Sequence, residues 1–424
     1  MIQLAYIREH KNEVISRLSV KNFDGEAVVN ELVETDAEKR KVQTELETLL
    51  AEQNALAKQI GDLFKAGKKA EADDLKNRSA AIKDSTRSLE LKQAELEERV
   101  QEILLRMPNL PSPAVPPGKT AEDNEVVFLD ESHTPQLPAD ALPHWELAAK
   151  YDIIDFELGN KITGAGFPVY KGQGAKLQRA LINFFLDRAA DAGYQEVQPP
   201  ILINADSGFG TGQLPDKEGQ MYHVTVDDLY LIPTAEVPVT NIFRDSIVSA
   251  DQLPVRCTAY TPCFRREAGS YGAHVRGLNR LHQFDKVEIV QIAHPDKSYA
   301  ILEEMREYVA GLLKMLELPF RTLKLCGGDM SFASALTYDM EVWSAAQQRW
   351  LEVSSVSNFE SFQANRLKLR YREGNGKPIL AHTLNGSALA LPRIVAAMLE
   401  NNQTPQGIRI PPALVPYTGF THIQ

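Results

Sequence analysis

The sequence predicts an α+β protein, a mostly antiparallel sheet domain preceded by a long antiparallel coiled-coil hairpin. Three observations carry this expectation. Residues 36–105 contain no proline, tryptophan or tyrosine, and their apolar residues recur in a 4-3 rhythm. Residues 108–118, PNLPSPAVPPG, then hold five prolines, which no helix can run through. Beyond them, short apolar runs separated by turn residues are followed by helical patterns.

In the first zone, Val42, Leu46, Leu49, Leu56, Ile60 and Leu63 step by four and three, with Gln53 in the one polar slot. Leu75, Ile82, Leu89, Leu96 and Ile103 then recur every seven residues, and Ala72, Ser79, Thr86, Gln93 and Val100 fill the companion seam. Between the halves lies KAGKKAEA, with Gly67 as the helix stop. Two helices of about 30 residues, each roughly 45–50 Å long, are expected. Such a hairpin is too thin to hold a core of its own and is expected to project as an arm. Residues 58–92 carry nine Lys/Arg against six Asp/Glu, which suits either a solvated tip or a probe for an anionic partner. The expected division is a helical domain over 1–107, a semi-rigid linker over 108–123 and a catalytic domain over 124–424.

Within that third region a Gly-rich patch, TGAGFPVYKGQG, precedes an amphipathic helix with Leu177, Leu181, Phe184 and Phe185 on one face. The runs VQPPILIN, DLYLIPTAEVP, DKVEIVQI, YDMEVW and RWLEVSSV read as strands. PRIVAAMLENNQ reads as the last helix, with Pro392 in its first turn.

Composition narrows the function. The 424 residues carry 46 Lys/Arg and 57 Asp/Glu, a net charge of −11. A uniformly basic nucleic-acid binder is excluded, so any nucleic acid must meet a local basic surface. Cys257, Cys263 and Cys326 form neither a disulfide framework nor CxxC pairs. There is no apolar run long enough for a membrane span, and the N-terminal MIQLAYIREHKNEV meets charge too early for a secretory leader. A cytoplasmic location is expected.

No P-loop, no GxGxxG after a strand, no HExxH and no GxSxG occurs. The segment TPCFRREAGSYGAHVRGLNRLHQFDKVEIVQI, residues 261–292, instead places two β-like runs around a loop rich in Gly and Arg. Arg265 and Glu267 alternate along the first run, and Phe284 and Glu288 lie on the second. An arginine fork suits phosphate, a carboxylate accepts from an exocyclic amine, and an aromatic stacks on a purine. Arg265, Arg276 and Arg280 together suit a polyphosphate. A surface hairpin laced with salt bridges is the alternative reading. Glu236, Glu288 and Glu352 fall in apolar runs where an unpartnered carboxylate is costly, which raises the odds of a site. Thr234 as a plain strand residue and Ser387 as a turn before a helix also stay open.

FRREAGSYG followed by LHQFDKVE resembles motif 2 of the class II aminoacyl-tRNA synthetases, in the form seen in seryl-tRNA synthetases. GYQEVQPPILIN resembles motif 1, with Pro200 at its proline, and HTLNGSALALPRIVAAMLENNQ resembles motif 3, with Arg393 at its arginine. GTGQLP, LIPTAEVP and LEVSSVSNFESFQANR are further seryl-type signatures, and the helical hairpin is similar to that family's arm. The resemblance spans nearly the whole chain, in family order.

It implies a class II synthetase catalytic domain and a serine–tRNA ligase that makes seryl-adenylate from serine and ATP. Serine tRNA is the implied acceptor, and selenocysteine tRNA stays open as a second. Arg265 would hold the α-phosphate of ATP and the serine carboxylate region, with Arg266 next to it. Glu267 would meet the adenine amine, Phe284 would stack on adenine with the Leu281 backbone nearby, and Arg393 would grip the γ-phosphate. Arg265 and Arg393 are thus the implied catalytic residues. Within LEVSS, Glu352 and Ser355 would hold Mg²⁺ and phosphate, with Val353 and Ser354 completing the ATP contact. Thr234, Ala235, Glu236, Glu288, Asn385 and Ser387 would line the serine pocket. The arm would reach, across a homodimer, the long variable arm of the tRNA.

Ala388 and Pro392 replace glycines of the general motif 3, and Val356 stands where relatives often carry cysteine. A zinc-free site is expected, since the serine segments hold no cysteine. His282 is read as ordering motif 2 and His382 as structural. About 20 residues follow motif 3, too few for an anticodon-binding domain. Two rivals remain: a synthetase-like ligase that charges a carrier protein, and a non-catalytic coiled-coil protein on a synthetase fold.

Overall fold

The computed structural model describes residues 1–138, 140–267 and 276–424. Residues 268–275, the AGSYGAHV of FRREAGSYGAHV, therefore lie outside the described residues. The chain divides into two compact units, one of residues 1–19 and 23–108, the other of residues 20–22 and 109–424.

In the first unit, two short helices, Leu4–Glu9 and Lys11–Val20, precede the hairpin of α1 (Gly25–Lys65) and α2 (Lys69–Arg106). The helices have 41 and 38 residues, about 60 Å each. They are longer than expected because α1 starts before the heptad zone. The seam is the predicted one: Val42, Leu46, Leu56, Ala72, Ile82, Thr86, Val100 and Ile103 are buried. The turn uses Gly67 at φ +76°, a conformation that costs glycine nothing. Near the base, buried Asp36 accepts from Arg40 at 2.9 Å and Arg8 at 3.4 Å. Glu31 on α1 pairs with both Arg99 and Arg106 on α2.

The second unit is built on an eight-stranded sheet. Its strands are β1 (Glu125–Asp130), β2 (Gln195–Glu196), β3 (Val255–Phe264), β4 (Gln283–Ala293), β5 (Phe320–Lys324), β6 (Leu336–Ser344), β7 (Arg349–Asn358) and β8 (His382–Ala390). The order is β1-β5-β6-β7-β8-β4-β3-β2, antiparallel throughout except for β2 against β3. Five of the helices that pack around it matter here: α3 (His144–Lys150), α4 (Gly172–Asp191), α5 (Ala205–Thr211), α6 (Glu236–Asn241) and α7 (Ser298–Met315). Two more follow, α8 (Phe362–Leu367) and α9 (Leu391–Asn401).

Alternation along β4 separates the two faces of the sheet. Val287, Ile289 and Ala293 point into the large core, with Leu181 and Phe185 of α4, Leu302 and Met305 of α7 and Ile394 and Met398 of α9. Val290, on the opposite face, packs with Ala235 and Val239 beside Cys257 and Ala259. Phe284, Lys286 and Glu288 share that second face.

The proline-rich stretch differs from a free linker. From Asn109 it belongs to the sheet unit. Asn109 donates from its amide to the carbonyls of Ala333 and Phe359, and the Ser112 N–H donates to Ala335. Proline blocks helix formation here, but the segment spends its remaining polar groups on the domain. VQPPILIN holds only the two-residue strand Leu202–Ile203, with a second, Gln195–Glu196, just before it, because its prolines cannot donate to a ladder.

Candidate active site

β3 and β4 pair in regular register from Val255↔Ile292 to Phe264↔Gln283, which makes the predicted pair of strands. Arg265 and Glu267 do not alternate within its first strand. β3 ends at Phe264, and Glu267 takes φ +49°. Arg265 is instead fixed by its backbone: its N–H donates to the His282 carbonyl at 2.9 Å, and its own carbonyl meets His282 Nδ1 at 3.0 Å. The guanidinium sits 5.3 Å from the Phe284 ring centre. His282 thus orders the strand end, as expected, and stacks on Phe167.

The other arginines separate. Arg266 turns to the Tyr222 ring at 5.8 Å, Arg276 covers Trp145 at 4.7 Å, and Arg280 pairs with Glu267. Leu281 is buried in the core, so only its backbone faces a ligand.

The strand holding LEVSS solves a spacing problem. Glu352 and Ser355 are three apart, which in a regular strand puts them on opposite faces. The register slips between Met340↔Ser354 and Glu341↔Glu352, and this bulge adds one residue to β7 and returns the pair to a common face. Val353 is consumed by the core, and the Ser354 hydroxyl donates to the Ser387 carbonyl at 2.5 Å, so neither side chain is offered to a ligand. Arg393, on α9, donates to the Glu352 carbonyl at 2.8 Å and to the Asn279 carbonyl at 3.1 Å. Its Nη1 lies 3.7 Å from the Glu352 carboxylate.

The remaining predicted residues converge on a buried polar pocket. Thr234 and Glu236 lie at the start of α6, not in a strand, because Pro233 and the helix turn end the short strand at Leu231. Ser387 lies in β8 opposite Glu288, and Asn385 lies opposite Val290. Ala235 faces the apolar cluster with Val290, which leaves its backbone for a ligand. The Thr234 hydroxyl donates to Glu288 at 3.3 Å and accepts the Glu236 N–H at 3.2 Å. Burial, then the charge of Glu288, pushes the Glu236 carboxyl up to about 7, with Gln363 and Lys286 opposing. The amide of Asn385 is buried beside Glu236 and also holds its carboxyl down.

Sequence reasoning missed two members of this pocket. Lys286 is 5% exposed, and its Nζ lies 2.5 Å from Glu288 and 2.7 Å from Thr234. Its signal was a lysine inside an apolar strand at even spacing from Glu288. Gln363, from the FESFQANR signature, donates to Glu236 at 2.7 Å and to the Thr211 carbonyl at 3.1 Å and accepts from Thr383.

A buried network supports the exit of the motif 2 loop. His144 and Glu400 are both fully buried and lie 2.8 Å apart. His144 Nε2 accepts the Leu278 N–H at 2.9 Å, so Nδ1 carries the proton given to Glu400. Burial raises the Glu400 carboxyl, but the bonds from His144 and Ser344 outweigh it and hold the group below its ordinary value. Gly277 is required here, since a Cβ would sit 2.3 Å from His144 Nε2. Replacing His144 by Ala is expected to cost about 3 kcal/mol by stripping a buried charge of its partner. That corresponds to a Tm lower by roughly 3–5 °C; thermal unfolding at the wild-type Tm would contradict the reading.

The geometry has counterparts in known proteins. Residues 1–111 match the seryl-tRNA synthetase N-terminal domain, and residues 222–402 match the tRNA synthetase class II core domain (G, H, P, S and T). The chain is 52% identical to the serine–tRNA ligase of Salinibacter ruber, covering 100% of this chain and 99% of the relative. It is 47% identical, with the same coverage, to that of Chlorobium luteolum. The crystal structure of seryl-tRNA synthetase from Pyrococcus horikoshii complexed with ATP superposes with a TM-score of 0.93 at 33% identity, covering 100% of this chain and 99% of that one. The cytoplasmic serine–tRNA ligase of Naegleria fowleri, 24% identical over 100% of this chain and 99% of its own, shares the fold at a TM-score of 0.89. Two matched domains and relatives aligned end to end place this chain in the seryl-tRNA synthetase family.

Proposed function

We propose that the chain activates L-serine with ATP and transfers the seryl group to the 3′ end of serine tRNA. One observation carries this reading. Phe284 and Glu288 lie on one face of one strand, about 13 Å apart along it, with Arg265 over the first and the Thr234–Glu236 pocket around the second. Adenine stacks at one end, serine binds at the other, and the α-phosphate lies near Arg265. The curated relatives that align over the full length, helical hairpin included, are serine–tRNA ligases. The carrier-protein ligase is accordingly not favoured.

In the first step a serine carboxylate oxygen attacks the α-phosphorus, and pyrophosphate leaves with the electrons of the broken P–O bond. The carboxylate is already ionised, so no strong base is needed. Catalysis rests on positioning and on neutralising phosphate charge through Arg265 and Arg393. The 3′-terminal ribose hydroxyl of the tRNA then attacks the seryl carbonyl, and AMP leaves. Mg²⁺ enters with ATP as part of the substrate. Glu352 and Ser355 would hold it, and their hard oxygen donors suit that ion. Asp339 lies opposite Ser355 in the ladder, and burial, then the charge of Glu352, raises its carboxyl well above the ordinary range.

The pairing within the pocket supports a division of labour between its two carboxylates. Glu288 is already paired with Lys286, so Glu236 takes the substrate ammonium. Glu236 must be ionised to do this, and its carboxyl titrates near 7. As pH falls through that value the anion is lost, so kcat/KM for serine should fall about tenfold per pH unit below roughly pH 6.5. Glu236→Gln should remove this inflection, raise KM for serine by about 100-fold and leave KM for ATP unchanged. A pH profile for serine identical in the variant and the wild type would contradict the assignment.

We further propose that the arm contacts tRNA. Lys69, Lys76 and Lys83 recur every seven residues along α2, so they share one face, and all are exposed. A backbone-reading contact of this kind is salt-sensitive. The homodimer and the cytoplasmic location belong to the same proposal. No helix among the described residues is long and apolar enough to cross a membrane.

A further inference from the structure

We propose that Lys286 is a positioning residue that sets serine specificity: it commits one oxygen of Glu288 and the hydroxyl of Thr234, leaving the other Glu288 oxygen to read the substrate hydroxyl. The inference rests on the pocket assigned above.

A lysine inside a pocket that receives an ammonium is unexpected, since like charges repel. The charge count explains its presence. Glu236 and Glu288 together bring two negative charges, and Lys286 cancels one, leaving a single negative charge for a single substrate ammonium. The other charged or titratable groups facing this cluster are Cys263 on β3 and Arg265 just beyond it. Gln363 from α8 and Asn385 from β8 are neutral.

The hydrogen bonds run in one direction. A lysine ammonium only donates. Thr234 Oγ1, 2.7 Å from Nζ, must therefore accept from it. The same oxygen accepts the Glu236 N–H at 3.2 Å. With both lone pairs used, the hydroxyl proton can go only to Glu288 Oε2, 3.3 Å away. Oε2 also receives Lys286 at 2.5 Å. One Glu288 oxygen is thus occupied by two fixed donors, and the other is held in a single orientation for a ligand donor. Without the lysine, Thr234 can turn its proton elsewhere and Glu288 can rotate. Alanine lacks the hydroxyl that this oxygen accepts, so it leaves a buried acceptor unpaired, and that penalty is the basis of discrimination.

The test is serine- and alanine-dependent ATP–pyrophosphate exchange with Lys286→Met, which keeps the long apolar stem and removes the charge. The proposal expects KM for serine to rise about 100-fold, KM for ATP to stay within about threefold and kcat at saturating serine to stay within about tenfold. The serine-to-alanine ratio of kcat/KM should fall by about tenfold or more. An unchanged serine KM and ratio would overturn it, as would a joint loss of kcat and ATP affinity, which is the mark of a merely structural lysine. Should Lys286→Met fail to fold, Thr234→Val breaks the same relay without baring a charge and should lower the same ratio; an unchanged ratio there overturns the proposal too. Glu288→Gln separates the two levels. If it leaves serine KM unchanged, the pocket assignment itself falls. If it raises serine KM while Lys286→Met does not, only the role of Lys286 falls.

Discussion

Arg265→Ala is expected to reduce serine-dependent adenylate formation by about 10³-fold. The arginine is fixed in two ways before substrate arrives: its backbone pairs with His282, and its guanidinium lies over Phe284. A donor held in place where charge develops is worth about 3–4 kcal/mol, because no reorganisation is needed during reaction. Arg265→Lys should recover little, since a point charge does not reproduce a planar fork on two phosphate oxygens. Single-turnover adenylate formation measures this. Activity within about tenfold of wild type would remove Arg265 from the reaction centre.

Shortening the arm should separate the two half-reactions. Lys92 and Glu38 pair across α1 and α2 at 2.6 Å, so residues 39–91 can be replaced by a short glycine-rich turn while the base of the hairpin keeps its seam and the Glu31 clamp. The sheet unit has its own core and site residues, so pyrophosphate exchange should stay within about threefold of wild type. Charging of serine tRNA should fall by about 100-fold or more, as expected when several phosphate contacts are lost together. Equal loss of both activities would mean that the arm supports the catalytic fold instead of the tRNA.

The parts of this structure legible in the sequence were those governed by period and punctuation. The heptad seam, the Gly67 turn, the β3–β4 pairing and Pro392 in the first turn of α9 follow from local chemistry. What the sequence concealed depended on tertiary context. The bulge that brings Glu352 and Ser355 to one face is set by the neighbouring strand, not by LEVSS itself. Thr234 and Glu236 read as strand residues because an apolar run of that length is ambiguous between strand and helix. Lys286 was overlooked because a lysine beside acidic residues reads as surface, and only the fold shows it buried at 5% exposure. Val353, Ser354, Ala235 and Leu281 sit at the site by position, but their side chains serve the core or the backbone. The His144–Glu400 pair joins residues 256 apart, a distance no local pattern reports.

The central claim is tested most directly by ATP–pyrophosphate exchange with each of the twenty amino acids, without tRNA, followed by charging of total tRNA. Exchange with serine far above every other amino acid, together with serylated tRNA, is the expected result. Exchange with a different amino acid, or exchange with serine and no charged tRNA, would contradict the account.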